Sequence, residues 1–259
     1  MLDQLFSMKG KTCVVTGGSR GLGYYMAKGF LYAGAKRVYI TARKAQACHE
    51  AAKELSEYGE CIALPGNIGS MDEISALVAE LTSRESSIDV LVNNAGTGWM
   101  EELEDFSEVG WDRVMDLNVK SPFFLSKELI PLLSANANHE VTSSIINIGS
   151  VAGICGETDT YSYAPSKAAI HQLTRNLAVA LSDKHIRVNA IAPGRFFSKM
   201  TEYASQDQET YNAEIEMMPL HRWGSETDIS GVAIMLASTA GAFITGQIIP
   251  VDGGTTLVR

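Results

Sequence analysis

Short apolar, β-branched runs alternate with longer stretches of helical spacing along almost the whole chain. The runs are TCVVT (12–16), RVYITA (37–42), CIALPG (61–66), DVLVNNA (89–95), SIINIGS (144–150), IRVNAIAPG (186–194) and IIPVDGG (248–254). Their cores are apolar without strict polar alternation, the pattern of strands covered on both faces by helices in a parallel sheet. Helical spacing fills 22–34, 45–58, 71–84, 110–133, 164–183 and 226–238. This repeat of strand, helix and strand predicts a doubly wound, Rossmann-type α/β fold of seven parallel strands with helices on both faces, and such folds bind ligands at the carboxyl ends of their strands. No linker or charge block divides the chain, so residues 1–259 read as one domain. The stretch 195–224 fits neither pattern and follows a strand's carboxyl end, which makes it a candidate lid over the site.

Composition narrows the partners. A net charge of −9 disfavours nucleic acid and anionic membranes, both of which need a basic footprint. No apolar run reaches the ~20 residues that span a bilayer, and the start lacks the apolar stretch and cleavage site of a secretory signal, so the expected setting is the cytoplasm. Cys13, Cys48, Cys61 and Cys155 are scattered without a C-x-x-C pair, and the histidines are isolated, so neither a disulfide framework nor a metal site is expected.

The turn TGGSRGLG (16–23) falls between the first predicted strand and the first predicted helix. Gly17 suits the tight turn, and Gly21 and Gly23 let backbone amides and the helix N-terminus approach a pyrophosphate. The second strand ends TAR (41–43), without the acid that would accept a hydrogen bond from the ribose of NAD. Arg43 and Arg20 are instead placed to clamp a 2′-phosphate through charge-assisted hydrogen bonds, which predicts NADPH/NADP+ as the cofactor.

A second stretch, YSYAPSK (161–167), offers two phenols and an amine at a helix entrance. Side chains four apart on a helix share a face, so Tyr163 can meet Lys167, whereas Tyr161, six away, points elsewhere. A free phenol titrates near ~10, and a neighbouring ammonium favours its phenolate, which is what acid–base work near neutrality requires.

Together with NNAG (93–96), the Asn of LNV (117–119), GSVAG (149–153), IAPGR (191–195) and VDGG (251–254), these motifs resemble the short-chain dehydrogenase/reductase family over essentially the whole chain. Within it, the motifs look most like those of NADPH-dependent 3-oxoacyl reductases related to the rhamnolipid-pathway reductase. The resemblance implies Tyr163 as proton donor, Lys167 as its partner and a holder of the nicotinamide ribose, Ser150 as the hydroxyl that orients the carbonyl, and Asn118 as support for a water relay. It also implies cofactor contacts along the glycine turn (Gly17, Ser19, Arg20, Gly21, Leu22, Gly23), at Arg43, and at Asn67 and Ile68 near the adenine. Further contacts are implied at Asn94, Ala95 and Gly96 beside the ribose, and at Pro193, Gly194, Phe196 and Ser198 near the carboxamide. Asn67 stands where the family usually has an aspartate, and Ser198 where it usually has a threonine. Asp252 reads as a structural turn residue.

Trp99, Ile154, Cys155, Phe197 and Met200 are expected around an apolar substrate pocket, together with Met100, Tyr203, Met217, Met218 and Trp223, although several of these side chains suit a core or a subunit interface equally well. The leading expectation is an NADPH-dependent carbonyl reductase that transfers hydride to a 3-oxoacyl or other hydrophobic ketone. A polyol or sugar dehydrogenase of the same family and a non-catalytic cofactor-binding regulator are the alternatives. The resemblance also implies a homodimer or homotetramer packed through helices near 110–133 and 164–183, with Phe123, Phe124 and Leu132 in the contact.

Overall fold

The computed structural model describes residues 2–156, 158–197, 201 and 207–258. Seven strands form one sheet in the order β3-β2-β1-β4-β5-β6-β7, and every pairing is parallel. They are β1 (Thr12–Thr16), β2 (Arg37–Thr41), β3 (Cys61–Ala63), β4 (Val90–Asn93), β5 (Ser143–Ile148), β6 (Ile186–Pro193) and β7 (Ile248–Val251). All seven predicted strands are present, most of them ending earlier than their apolar runs. At β3 the pairing stops before Pro65, which has no N–H to give the ladder.

The helices are a short α1 (Leu2–Leu5), α2 (Gly21–Tyr32), α3 (Ala45–Leu55), α4 (Met71–Arg84), α5 (Glu108–Met115), α6 (Ser121–Ser134), α7 (Tyr163–Ala180), α8 (Gln208–Glu216) and α9 (Glu226–Ala237). Alternate strand residues feed two apolar layers. Cys13, Val15, Val38 and Ile40 pack with Met26 and Phe30 of α2, Cys48 of α3 and Ile229 of α9, while Val14 and Tyr39 pack with Leu77 of α4, Leu125 of α6 and Ala178 of α7. Burial on both faces explains why the strands read as continuous apolar runs. Each buried Leu, Ile or Phe contributes about 1.5–3 kcal/mol, so these two layers hold the sheet.

The single helix predicted over 110–133 is broken. It starts earlier, capped by Ser107, whose hydroxyl accepts the Gly110 N–H at 3.2 Å, and it is interrupted by a wide turn over Asp116–Lys120 with i→i+5 bonding. Pro122 supplies the reason. It lacks the N–H that a continuous helix would give to the Asn118 carbonyl, so the ladder loosens one turn ahead of it. The region 195–224 also gains an element, α8, capped by Asp207, whose carboxylate accepts the Glu209 and Thr210 N–H groups.

Candidate active site

At the carboxyl ends of the central strands lies a cleft of about 390 Å³. The glycine turn forms one wall. Gly17 has φ +67°, and a Cβ there would stand 2.9 Å from Asn94 Nδ2. That amide donates to the carbonyls of Thr16 (2.8 Å) and Gly17 (3.2 Å), and Thr16 Oγ1 accepts the N–H groups of Asn94 (2.9 Å) and Ala95 (3.0 Å). TGGSRGLG and NNAG are therefore one hydrogen-bonded unit across β1 and β4, at the point where strand order reverses. Gly17, Ser19, Arg20, Gly21 and Leu22 line the cleft, as do Asn94, Ala95 and Gly96. Gly23 is absent from the lining. A Cβ there would lie 2.5 Å from both Asn94 Nδ2 and Gly17 O, so Gly23 serves close packing of helix against turn.

The outer end of the cleft is cationic. Arg20, Arg43 and Lys44 line it, all three exposed, and none of them is ion-paired among the described residues. Lys44 escaped the motif reading because it lies one residue beyond the strand-end arginine. Asn67 and Ile68 also line this end, where Asn67 is held by its backbone N–H to Glu73 Oε2 at 3.3 Å. Thr41, Ala42, Ala47 and Gly66 also line the cleft.

At the inner end, Ser150, Tyr163 and Lys167 line the same cleft, with Pro193, Gly194, Phe196 and Thr201 opposite. Lys167 is 6% exposed, and its Nζ donates to the Ile148 carbonyl at 2.8 Å. Nζ stands 5.5 Å from the centroid of the Tyr163 ring. Burial pushes the Lys167 ammonium down from 10.5 to about 8. Ser150 leaves β5 in an extended conformation, and its oxygen accepts the Ala152 N–H at 3.1 Å. That leaves its hydroxyl proton to be given to a ligand oxygen.

Asn118 is 2% exposed and sits in the wide turn. Its Oδ1 accepts the Thr97 N–H (2.9 Å), and its Nδ2 donates to the Thr97 carbonyl (2.9 Å) and to Ser166 Oγ (3.0 Å), which in turn donates to the Tyr163 carbonyl (2.7 Å). The side chain thus ties the loop after β4 to the start of α7. Pro122, four residues on, has no N–H to give the Asn118 backbone carbonyl. Tyr161 packs edge-on against Phe106, with ring centroids 5.8 Å apart, and stays off the Tyr163–Lys167 face.

The residues expected around the substrate are more dispersed. Trp99 is half-buried, with Arg113 over its ring and its indole so close to Gly110 that a Cβ there would stand 2.3 Å from Nε1. Ile154 and Phe197 are exposed and Cys155 is half-buried. Phe197 stacks on Tyr211 of α8 and packs at a tilt against Trp223, while Trp223 and Met218 are buried in a small core with Tyr211 and Ile215, so these two read as packing and not as pocket wall. Arg195 pairs with Glu214 of α8 at 3.2 Å, which fastens that segment to the Pro193–Gly194 turn. Ser198, Met200 and Tyr203 lie outside the described residues. Thr201, which motif reading missed, lines the cleft and donates to the Phe196 carbonyl at 2.6 Å.

The cleft fits a phosphorylated dinucleotide. Glycine backbone lines it at Gly17 and Gly21, the N-terminus of α2 opens onto it, and three exposed cations without an ion pair among the described residues line its outer end. Comparison with known proteins agrees with this geometry. A family model described as enoyl-(acyl carrier protein) reductase matches residues 17–256. The chain is 48% identical over 250 residues to the rhamnolipids biosynthesis 3-oxoacyl-[acyl-carrier-protein] reductase of Pseudomonas aeruginosa, covering 96% of this chain and 97% of that one. It is 35% identical to the 2-dehydro-3-deoxy-D-gluconate 5-dehydrogenase of Escherichia coli, covering 98% of each. The structure of the Pseudomonas aeruginosa RhlG/NADP active-site complex superposes with a TM-score of 0.95 at 47% identity, over 97% of this chain and 98% of that one.

Proposed function

The chain belongs to the short-chain dehydrogenase/reductase family, and we propose that it is an NADPH-dependent carbonyl reductase acting on a 3-oxoacyl or other hydrophobic ketone. The observation that carries this reading is the inner end of the cleft, where a buried ammonium, a phenol and a hydroxyl face the cofactor groove together.

NADPH, when bound, supplies the hydride to the carbonyl carbon. Arg43, Arg20 and Lys44 hold its 2′-phosphate, and the glycine turn and the N-terminus of α2 hold the pyrophosphate. Ser150 donates a hydrogen bond to the substrate oxygen and stabilises the charge that develops on it. Tyr163 delivers its phenolic proton to that oxygen. Lys167 keeps the phenolate accessible, and a water on the Asn118 carbonyl returns a proton from solvent through Lys167.

The substrate class is supported by the identity to a 3-oxoacyl reductase and by the exposed apolar Phe197, which follows the cleft-lining Phe196 in the chain. Relatives named as gluconate dehydrogenases support a second reading, a sugar or polyol dehydrogenase. Following NADPH oxidation against 3-oxoacyl thioesters, diketones and keto-sugars decides between them. Thioesters or hydrophobic diketones should give the highest kcat/KM, and a preference for keto-sugars would overturn the leading reading.

The same reading includes a homo-oligomer in the cytoplasm. Among the described residues the cysteines are unpaired and no helix is long and apolar enough to cross a membrane. Val109, Trp111 and Phe123 on α5 and α6, and Val179 on α7, are exposed apolar side chains on the helices expected to meet a second copy. Leu132 is buried in the subunit's own core and drops out of that contact. Light scattering at micromolar concentration should give a dimer or tetramer mass; a monomer mass would refute the oligomer.

A further inference from the structure

His171 lies on α7 one turn beyond Lys167 and two beyond Tyr163, and it is 4% exposed. Its ring is wedged into the turn that carries Ser150. A Cβ at Gly149 would stand 2.1 Å from His171 Nε2, and a Cβ at Gly153 would stand 2.9 Å from His171 Cε1. Gly149 therefore lies directly against the imidazole, and Gly153 lies against it and against the α7 backbone at Lys167 and Ala168. The turn's other ties are Gly149 N–H to the Ile191 carbonyl at 2.8 Å, Gly153 N–H to the Ser150 carbonyl at 3.0 Å, Ala152 N–H to Ser150 Oγ at 3.1 Å, the Ile154 and Cys155 N–H groups to the Val151 carbonyl, and Lys167 to Ile148; none of these bonds joins Gly149 to Gly153.

The ring also hydrogen-bonds the Gly153 backbone, which ties the imidazole to the same turn. Its Nε2 is buried without a hydrogen-bond partner among the described residues, which costs stability that an apolar side chain would spare. The ring is also neutral. Burial, then the charges of Lys167 and Arg175, push it down to about 4, so it adds no charge beside the lysine. What the imidazole supplies is a thin, rigid plate beside two Cβ-less residues, bonded to the backbone of one of them.

We infer that His171 is a positioning residue that fixes the Ser150 hydroxyl toward the substrate oxygen by wedging Gly149 against Gly153. This rests on the reading of Ser150 as the group that orients the carbonyl. Small displacements of a positioned group cost large factors in rate, so His171→Ala should lower kcat by about 10-fold while the Kd for NADPH changes less than about twofold. In a Ser150→Ala background, where no hydroxyl remains to be aimed, His171→Ala should cause no further loss.

Gly149→Ala presses a methyl onto the same ring and should lower kcat similarly. The double variant Gly149→Ala with His171→Ala should recover part of that loss, because the ring that the methyl strikes is gone. Tm and NADPH affinity, measured on every variant, identify any that fail to fold; if His171→Ala is one of them, Gly149→Ala combined with Ser150→Ala carries the same test. Losses that multiply with Ser150→Ala, or an unchanged kcat in His171→Ala, would overturn the inference alone. An unimpaired Ser150→Ala would overturn the catalytic reading and the inference with it.

Discussion

The two ends of the cleft are built on opposite principles. At the outer end, Arg20, Arg43 and Lys44 stand in solvent with no protein partner among the described residues. At the inner end, Lys167 is buried and bonded to Ile148, and Asn118 has its side-chain amide spent on Thr97 and Ser166. Solvated charges carry no desolvation penalty while they wait for a ligand, so they can select a cofactor at little cost to the fold. A catalytic group must be desolvated and held in place, and it strains the fold that holds it. Substitutions at the outer end should therefore change affinity without changing stability, and those at the inner end should change turnover, stability or both.

The largest effect expected is at the inner end. Tyr163→Phe should reduce turnover by about 10²–10⁴-fold, the usual contribution of general acid–base catalysis, while NADPH binding followed by fluorescence persists. Tyr161→Phe keeps its edge-on contact with Phe106 and should stay within about twofold of wild type. Equal losses in both would show that the helix face does not select the phenol.

Next comes the strain itself. Lys167 titrates at about 8 in the fold and at 10.5 when unfolded, so between those values the unfolded chain holds the extra proton. Stability should then rise with pH across that window, by up to about 3 kcal/mol, and the gain should be lost as pH falls to 8. Denaturant titrations of the cofactor-free protein at pH 7.5 and 10, compared with Lys167→Met, isolate this contribution. A pH dependence identical in the two proteins would mean that burial does not perturb the lysine.

At the outer end, Arg43→Ala should weaken NADPH by about 10- to 100-fold, from a charge-assisted hydrogen bond worth roughly 1.5–3 kcal/mol. NADH, which has only a hydroxyl there, should bind as before, and Tm should not move. If both cofactors weaken alike, Arg43 is not a phosphate ligand.

The smallest effect tests how far the cationic rim extends. Lys44→Ala should weaken NADPH by about 1.4- to 5-fold at low salt and by less at high salt, because a point charge in solvent is worth about 0.2–1 kcal/mol and is screened. A loss insensitive to salt would place Lys44 in direct contact with the cofactor.

How much of this was legible in the sequence depends on the range of the interaction. The seven strands, the glycine turn and the Tyr163–Lys167 pair are local patterns: period, spacing and turn chemistry over a few residues fix them, and the structure has them in place. The break at Asp116–Lys120 was also written locally, in Pro122, but it was hidden beneath an apolar period that reads as one helix. By contrast, the linkage of Asn94 to Thr16 and of Asn118 to Thr97 and Ser166 joins residues far apart in the chain. Trp223 and Met218 likewise read as pocket wall in sequence, because an apolar side chain looks the same whether it lines a cavity or fills a core.

The sequence by itself thus determined the fold class, the cofactor groove and the candidates for the reacting groups, since each follows from covalent spacing and side-chain chemistry. Only the tertiary structure decided which groups are desolvated and which remain in water. That division sets the lowered proton affinity of Lys167, the neutrality of His171 and the solvent exposure of Arg43, because burial is a property of the packed surroundings and not of any residue's near neighbours along the chain.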